Sequence, residues 1–279
     1  MTAWSVLSRK IGIDLGTSAA RIYVKGEGIV VNEPAGAATL HNLLGKAQPR
    51  PRLFRPDVVV SVRSGIAAGG RRAVTDEVMA AGARQVWLID EPVAAAMGAG
   101  LPIAGVKATA ICELGAGTTE VAVISRSGTV AERSLEVGGR ALDAKIAARF
   151  GVSAEEAERL KIEIGSAVAM DEPLRGWARG VEVTSNDLAD ALRAPLEQIA
   201  AVVLATLDDV SPRVAADVRE RGLVLSGGGA QLRGLDRFIS ERAGIAILVA
   251  PEPQTSVVRG TGLALDNFEV LKRNQTYIH

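Results

Sequence analysis

The chain is poor in the residues on which redox and metal sites are built. Its 279 residues include one cysteine and two histidines. A single cysteine cannot form a disulfide within a chain, and one Cys with two His cannot assemble a Cys/His metal cluster. Cys112 stands in an apolar stretch, so we expect it to be a small buried hydrophobe. These absences exclude a disulfide framework and a cysteine–histidine metal centre.

Aromatic residues and an excess of either charge are also missing. Aromatics make up 3% of the chain, and 32 Lys and Arg balance 32 Asp and Glu. The core must then be built from Ala, Val, Leu and Ile, as is typical of layered α/β structure. A balanced chain has no general attraction for nucleic acid, so we expect no nucleic-acid partner.

Long hydrophobic runs are absent as well. The longest, residues 199–207, is well below the roughly 18 residues that span a bilayer. Residues 1–10 lead directly into the first predicted strand without the features of a secretory signal. The expected location is therefore the cytoplasm, either free or peripheral to a membrane.

Two stretches of the chain share one pattern. In each, an apolar strand ends at an acidic residue, and a turn that contains glycine follows. The first is IGIDLGTS at 11–18, and the second is AICELGAGTTE at 110–120. When they are aligned, Asp14 matches Glu113 and Gly16 matches Gly115. Each predicts a hairpin whose turn has no bulky side chain, so that backbone N–H groups can approach a ligand closely.

The acid in each turn indicates the kind of ligand. A carboxylate repels a phosphate by roughly 1–4 kcal/mol at about 4 Å, and a hard divalent cation between them removes that repulsion. One such motif alone is more often an ordinary tight hairpin with a polar end. The matched pair instead favours two similar halves that hold one Mg-nucleotide.

The remaining pattern predicts alternating strands and helices. Strands at 58–62 and 85–89 alternate with helices at 70–81 and from Glu91, where Asp90 is expected to be the cap. The pattern restarts at Lys107. We expect one domain from 1–106 with 256–279 and a second from 107–255.

Further elements are expected in both halves. Gly138-Gly139 opens a helix to Phe150, and Ser185 caps a long helix that Pro195 kinks or divides. The proline-rich segment 34–56 predicts an exposed connection, and 168–183 shows no hairpin signal.

A third glycine cluster, residues 226–230, follows a predicted strand at 223–225. A helix is expected near Gln231, so the cluster lies where anionic groups are favoured. A lone triple glycine more often marks a tight turn. Neither a P-loop nor G-x-G-x-x-G spacing occurs, which disfavours both of those nucleotide folds.

With these three loops in order, the chain resembles the actin, Hsp70 and sugar-kinase ATPase superfamily. Within it, the chain is most similar to the bacterial MreB/Mbl actin-like proteins. The resemblance is carried by IGIDLGT (11–17), IYVKGEGIVVNEP (22–34), LFRPDVVVSVRSGI (53–66), GARQVWLIDEPVAAAMGAGLP (82–102), LGAGTTEVAVIS (114–125), KIEIGSA (161–167) and RGLVLSGGGAQLRGLDR (221–237).

The resemblance implies an actin-like (ribonuclease H-like) duplicated two-domain α/β fold with ATP and Mg²⁺ in a cleft between the halves. Asp14 and Glu113 would face the cation through water, and Glu91 would position the attacking water. The alternative for Glu91 is to complement the helix dipole, worth only about 0.3–1 kcal/mol. The implied nucleotide-binding residues are Gly16, Thr17, Ser18, Ala19, Gly115, Ala116, Gly117, Thr118, Lys161, Glu163, Ile164, Gly165, Ser166, Gly227, Gly228, Gly229, Ala230 and Gln231.

The chain departs from the family pattern in three ways. Glu113 replaces the usual Asp, and Ala19-Ala20 replace residues with side-chain donors. The segments 35–55 and 168–183 are too short for the family's small subdomains, which help to form the contacts between filament subunits. We therefore expect weakened nucleotide binding, slow or absent hydrolysis, and assembly with full-length MreB-type relatives rather than alone.

Leu53-Phe54, flanked by Arg50, Arg52 and Arg55, matches the apolar loop by which some MreB proteins touch lipid. Burial of both side chains would contribute roughly 3–6 kcal/mol, and repetition along a filament would strengthen binding. The alternative is that both residues pack on the domain's own helices.

These observations predict a membrane-peripheral cytoskeletal protein of cell-shape determination and cell-wall or spore-wall synthesis. Its expected partners are ATP or ADP, itself or full-length relatives, the cytoplasmic face of the membrane, and cell-wall synthesis proteins. The principal alternative is a non-polymerising nucleotide-binding regulator. A sugar or acetate kinase would need inserted substrate-binding segments, and a chaperone ATPase would need a downstream peptide-binding domain.

Overall fold

The computed structural model describes residues 8–48 and 55–267. The chain forms two compact units. The first comprises Met1–Ala108, Ile124–Val130 and Gln254–His279, and the second comprises Thr109–Val123 and Ala131–Pro253. Leu53 and Phe54 lie outside the described residues, so the predicted lipid contact stays a prediction.

Both units contain strands and helices. The strands are β1 (Lys10–Leu15), β2 (Ala19–Val24), β3 (Gly28–Pro34), β4 (Asp57–Val62), β5 (Gln85–Asp90), β6 (Thr109–Leu114), β7 (Thr119–Ser125), β8 (Gly128–Leu135), β9 (Arg175–Ala178), β10 (Val181–Thr184), β11 (Leu223–Ser226) and β12 (Ile247–Val249). The helices are α1 (Leu40–Ala47), α2 (Ala68–Ala80), α3 (Glu91–Gly98), α4 (Gly139–Phe150), α5 (Ala154–Ile164), α6 (Ser185–Asp208), α7 (Pro212–Arg221), α8 (Leu235–Ala243) and α9 (Ser256–Ala264).

The first unit is built on a five-stranded sheet in the order β3-β2-β1-β4-β5. β1 pairs antiparallel with β2 on one side and parallel with β4 on the other. Every residue of β4 is buried, as expected of a strand covered on both faces. The predicted strand at 58–62 is confirmed.

Helix α9 packs directly on β1. A Cβ on Gly12 would lie 2.3 Å from Thr261 Oγ1, and one on Gly260 would lie 1.7 Å from the Ala94 carbonyl oxygen in α3. These glycines let α9 approach both β1 and α3 at backbone distance. Helix α9 therefore supports β1 two residues before Asp14.

The segment 34–56 is not wholly the exposed connection that its prolines predicted. Residues 40–47 form helix α1, in which Thr39 Oγ1 accepts a hydrogen bond of 3.3 Å from Asn42 N. Leu40, Leu43 and Leu44 are buried in the core of the first unit. The prediction was wrong here because the flanking prolines obscured an apolar i, i+3, i+4 spacing.

The second unit contains a five-stranded sheet in the order β12-β11-β6-β7-β8. β11 pairs parallel with both β6 and β12. All residues of β6 are buried, and Cys112 within it is a buried free thiol, as expected. Helix α4 spans Gly139–Phe150, which confirms the predicted opening at Gly138-Gly139.

The segment 168–183 does contain a hairpin, contrary to expectation. β9 and β10 pair antiparallel, with Ala178 opposite Val181. The two intervening residues, Arg179 and Gly180, have φ values of 50° and 77°. Positive φ at both positions is the signature of a type I′ turn. Arg at the first position is an uncommon choice for it, so the sequence did not predict the hairpin.

Two helix boundaries also differ from expectation. Helix α6 is capped by Thr184, whose side chain forms a capping box with Asp187, rather than by Ser185. Pro195 lies within α6, so of the two predicted effects division does not occur and the kink stays a prediction. The helix expected near Gln231 is a 3₁₀ turn, Gly228–Gln231, and α8 starts at Leu235. Among the helices of the described residues, none has the length and apolar character needed to cross a bilayer.

Candidate functional site

The first acid–glycine motif forms the predicted hairpin between β1 and β2. Asp14 is paired with Arg21 and Leu15 with Ala20, which leaves Gly16, Thr17 and Ser18 in the turn. Thr17 and Ser18 are exposed. A Cβ on Gly16 would lie 3.5 Å from Asp14 Oδ1, so the carboxylate lies beside the turn backbone. The predicted phosphate-binding turn is therefore accessible and has the acid at its base.

Asp14 is buried and contacted from both neighbouring strands. Arg21 Nη1 in β2 lies 3.5 Å from its Oδ2, and Ser61 Oγ in β4 donates to its Oδ1 over 3.5 Å. Burial raises the pKa of Asp14 to about 6, against the opposing influence of Arg21 and Ser61. Arg21 was not singled out from the sequence.

Glu91 is the first residue of α3 and is partly buried. The preceding Asp90 occupies the N-cap position, but its side chain accepts no capping hydrogen bond. It accepts one from Arg71 instead, and burial raises its pKa against the influence of Arg71. Asp90 is therefore the N-cap residue, as predicted, but its side chain pairs with Arg71 in α2 instead of capping the helix. The role of Glu91 stays a prediction.

The second turn, residues 115–118, connects β6 to β7 and rests on the start of α4. Gly115 N donates to Thr118 O over 2.9 Å, and Gly139 N donates to Gly115 O over 2.9 Å. A Cβ on Gly138 would lie 2.7 Å from Thr118 N. Gly138 is therefore needed for the close approach of turn and helix, while Ala116 and Gly117 remain partly exposed.

Glu113 lies between the second turn and the third glycine cluster. Its Oε2 is 3.3 Å from the position of a Cβ on Gly115, and its Oε1 is 2.6 Å from that of a Cβ on Gly227. The parallel pairing of Ser226 with Glu113 brings these loops together. The buried Glu113 carboxylate thus marks a place where two predicted ligand-binding loops meet.

The third glycine cluster has the tight geometry that its composition predicts. Gly227 has φ 81° and ψ 169°, a conformation essentially reserved for glycine. Its N–H donates to Pro253 O over 2.9 Å. Gly229 packs so closely on Leu114 that a Cβ would lie 2.3 Å from Leu114 Cγ. Ala230 is buried, and Gln231 ends the 3₁₀ turn.

Lys161 and Glu163, both among the predicted nucleotide-binding residues, have different surroundings. Lys161 Nζ lies 2.6 Å from Asp143 Oδ1 and donates to Gly139 O over 3.4 Å. Burial raises the pKa of Asp143 against the influence of Lys161. Glu163 is exposed and accepts from Arg159 over 2.6 Å. Lys161 is therefore tied to the helix start that supports the second turn.

The rest of the segment 161–166 ends helix α5. Ile164 and Ser166 are buried, and Gly165 is the C-cap. Ser166 Oγ donates to Val168 O over 2.7 Å. Ala167 N donates to Arg233 O over 2.8 Å, which joins this segment to the chain after the third glycine cluster. The second unit thus brings three of the predicted ligand-binding segments together.

The described residues do not supply a ready-made divalent-cation site. Within 8–48 and 55–267, no three His, Cys, Asp or Glu side chains come together as metal ligands. Asp14, predicted to face Mg²⁺ through water, already has the Arg21 guanidinium as its counter-charge. Asp14 therefore does not fit the predicted cation, whereas the cation contact predicted for Glu113 stays a prediction.

Comparison with known proteins decides the family. The family model described as MreB/Mbl protein matches residues 35–273. The chain belongs to the MreB/Mbl family. The resemblance inferred from the motifs is confirmed.

Relatives within the family cover the chain almost completely. The cell shape-determining protein MreB of Escherichia coli K12 is 37% identical, and the alignment covers 95% of each chain. The cell shape-determining protein Mbl of Bacillus subtilis is 26% identical over 97% of this chain and 99% of its own. The MreB alignment runs over 331 positions, more than the 279 residues of this chain. The E. coli protein therefore has residues without a counterpart here.

Solved structures confirm the actin-like two-domain α/β fold. MreB5 of Spiroplasma citri bound to AMPPNP superposes with a TM-score of 0.85 at 23% identity, covering 94% of this chain and 97% of its own. A MamK double helical filament gives 0.76 at 16% identity, covering 93% and 99%.

Proposed function

We propose that this MreB/Mbl-family chain is an ATP-binding cytoskeletal protein that acts in cell-shape determination. The observation that carries the proposal is its 37% identity, over 95% of both chains, to a cell shape-determining MreB. The two acid–glycine hairpins support the nucleotide part, since both turns present backbone with little side-chain bulk.

ATP or ADP is the proposed ligand of the three glycine loops. The turn at Gly16–Ser18 and the turn at 115–118 would donate backbone N–H groups to phosphate oxygens. Residues 227–231 and 161–166 would contact the nucleoside. The structures of S. citri MreB5 with AMPPNP and with ADP support this choice of ligand for the fold.

Hydrolysis is proposed to be slow. Glu91 would position the attacking water. Glu113 is buried and is one methylene longer than the family's Asp. The extra methylene would displace its carboxylate from the position that a water-mediated octahedral site needs. A slow ATPase would suit a subunit whose nucleotide state changes on the time scale of assembly.

Assembly with full-length MreB-type relatives is the proposed mode of action, at the cytoplasmic face of the membrane and alongside cell-wall synthesis proteins. The E. coli relative contains segments that have no counterpart in this chain. Full-length subunits would supply the subunit contacts that such segments make, and this supports co-assembly. The same observation favours a second candidate, a nucleotide-binding regulator that does not polymerise.

Light scattering and pelleting test these proposals on the purified full chain. We expect a fluorescent ATP analogue to bind and to be displaced by ATP. We also expect the chain to pellet with a full-length MreB relative and ATP, but not alone. Displacement without co-pelleting would support the regulator, whereas no binding of the analogue would contradict both proposals.

A further inference from the structure

The environment of Asp14 contains a fixed positive charge at the place where a cation was predicted. β1 lies between β2 and β4, and each neighbour aims one side chain at the carboxylate. Arg21 is the cross-strand partner of Asp14 in β2. Ser61 follows Val60, which is paired with Ile13 in β4. The strand register therefore dictates that Arg21 and Asp14 share one face of the sheet.

The pair is enclosed by protein. The side chains of Arg21 and Asp14 are 15% and 8% exposed, and Arg21 Nη1 lies 3.5 Å from Asp14 Oδ2. The guanidinium is the side chain best suited to a buried ion pair with a carboxylate. An ion pair screened from water in this way is weakened little by salt. Asp14 consequently has a permanent, built-in counter-charge.

A divalent cation gains little at such a place. Mg²⁺ is usually held by one or two carboxylates together with phosphate oxygens, and it keeps several waters. Here the Asp14 carboxylate is neutralised by Arg21 and bonded to Ser61, so an incoming cation would meet the like charge of the guanidinium.

We propose that Arg21 replaces the divalent cation at the first turn, so that this chain binds nucleotide without requiring Mg²⁺. The guanidinium neutralises Asp14 and thereby removes the repulsion between that carboxylate and a phosphate bound at Gly16–Ser18. The nucleotide part of this proposal rests on the proposed function. The exclusion of Mg²⁺ from Asp14 does not.

Thermal unfolding of the nucleotide-free protein tests the exclusion of the cation. Millimolar MgCl₂ should leave the melting temperature of the wild type at the value found in NaCl of equal ionic strength. Arg21→Leu removes the counter-charge but also raises the pKa of Asp14, because Arg21 opposes the effect of burial on that pKa. The melts are therefore run at about pH 8.5, where the carboxyl is ionised in the variant as well, and Mg²⁺ should then raise its melting temperature by about 3 °C. Arg21→Gln, which keeps polar donors without charge, serves as a second variant if the leucine variant does not fold.

Arg72→Leu is the matched control, because Arg72 belongs to the same unit but is exposed and pairs only loosely with Asp76, at 3.8 Å. It should behave as the wild type. A magnesium-specific rise in the wild type, or none in either Arg21 variant, would overturn the proposal.

Titration with ATP in MgCl₂ or EDTA tests the nucleotide part. The wild-type Kd should agree within about threefold between the two, whereas the folded Arg21 variant should bind about tenfold more tightly with Mg²⁺. Wild-type binding that is tenfold tighter with Mg²⁺ would refute the proposal. If no variant binds ATP while the melting shifts appear as expected, the proposed function fails and the exclusion of Mg²⁺ stands.

Discussion

Glu113 and Gly227 meet at the ends of two parallel strands, with Glu113 Oε1 only 2.6 Å from the position that a Cβ on Gly227 would take. The Leu114 carbonyl oxygen is closer still, at 2.3 Å from the same position. A side chain at residue 227 would therefore collide with both the backbone and the buried acid. This contact couples the third glycine loop to the acid of the second turn.

Gly227→Ala is predicted to destabilise the fold. The φ of 81° with ψ 169° and the collision with Leu114 O together should cost about 3 kcal/mol in the free energy of unfolding. Urea denaturation measures this loss. Gly69→Ala is the control, because Gly69 lies in α2 with nothing within 4 Å of its Cβ position, and it should be neutral or slightly stabilising. Equal stability of the two variants would contradict the prediction.

The stability of the protein should depend on pH through Asp14. Its pKa is raised by burial from 3.8 to about 6, so the native state binds this proton more tightly than the unfolded state. The contribution of Asp14 is therefore most favourable below pH 3.8 and is lost as the pH rises towards 6. The total loss is about 3 kcal/mol.

Asp14→Asn removes this titration. The difference between wild type and variant in the free energy of unfolding should move against the wild type from about pH 4 to pH 6 and then level off. A constant offset from the unpaired Arg21 does not alter that slope. Denaturation series at several pH values measure it, and parallel curves for both proteins would show that Asp14 is not the group responsible.

The Lys161–Asp143 ion pair should contribute more to stability than the Arg159–Glu163 ion pair, which is exposed on α5. Its side chains are 15% and 10% exposed, whereas those of Arg159 and Glu163 are 46% and 51% exposed. A double-mutant cycle with Lys161→Met and Asp143→Asn should give a coupling energy of about 2 kcal/mol. The Arg159→Ala and Glu163→Ala cycle should give about 0.5 kcal/mol or less. The reverse order would contradict the burial argument.

Lipid binding is predicted to depend on Leu53 and Phe54. Replacement of both by Ser should abolish co-sedimentation with anionic liposomes, because it removes roughly 3–6 kcal/mol of apolar burial. Val106→Ser is the control, since it removes an apolar side chain that is 76% exposed elsewhere. Circular dichroism shows whether each variant is folded. Unchanged lipid binding by a folded double variant would reject this loop as the anchor.

Sequence patterns predicted the parts of the fold that local signals define. The continuous apolar run of β4 and the Gly138-Gly139 opening of α4 were read correctly because each carries its own signal. Helix α1 and the β9–β10 hairpin were missed. Helix α1 was missed because the prolines on both sides of it predicted a loop. The hairpin was missed because Arg is an uncommon residue for the positive φ that Arg179 adopts.

Only the local motifs of the candidate site could be predicted from the sequence. The turns at Gly16 and Gly115 follow from residues adjacent in sequence. The contacts of Glu113 with Gly227, and of Lys161 with Asp143, depend on strand pairing and helix packing between distant segments. Arg21 could be placed opposite Asp14 only once the register of the first hairpin was known.

The central claim, that both acid–glycine turns bind ATP, is tested most directly by calorimetric titration of the wild type, Gly16→Ala and Gly115→Ala. The added methyl groups meet only ordinary or slightly tight neighbours, at 3.1 Å and 3.3 Å or more, so both variants should fold. We predict that the wild type binds one ATP per chain and that each variant binds it about tenfold more weakly. Gly45→Ala, with open space at its Cβ position, should bind as the wild type does. ATP affinity that is unchanged in both turn variants, or absent from the folded wild type, would contradict the account.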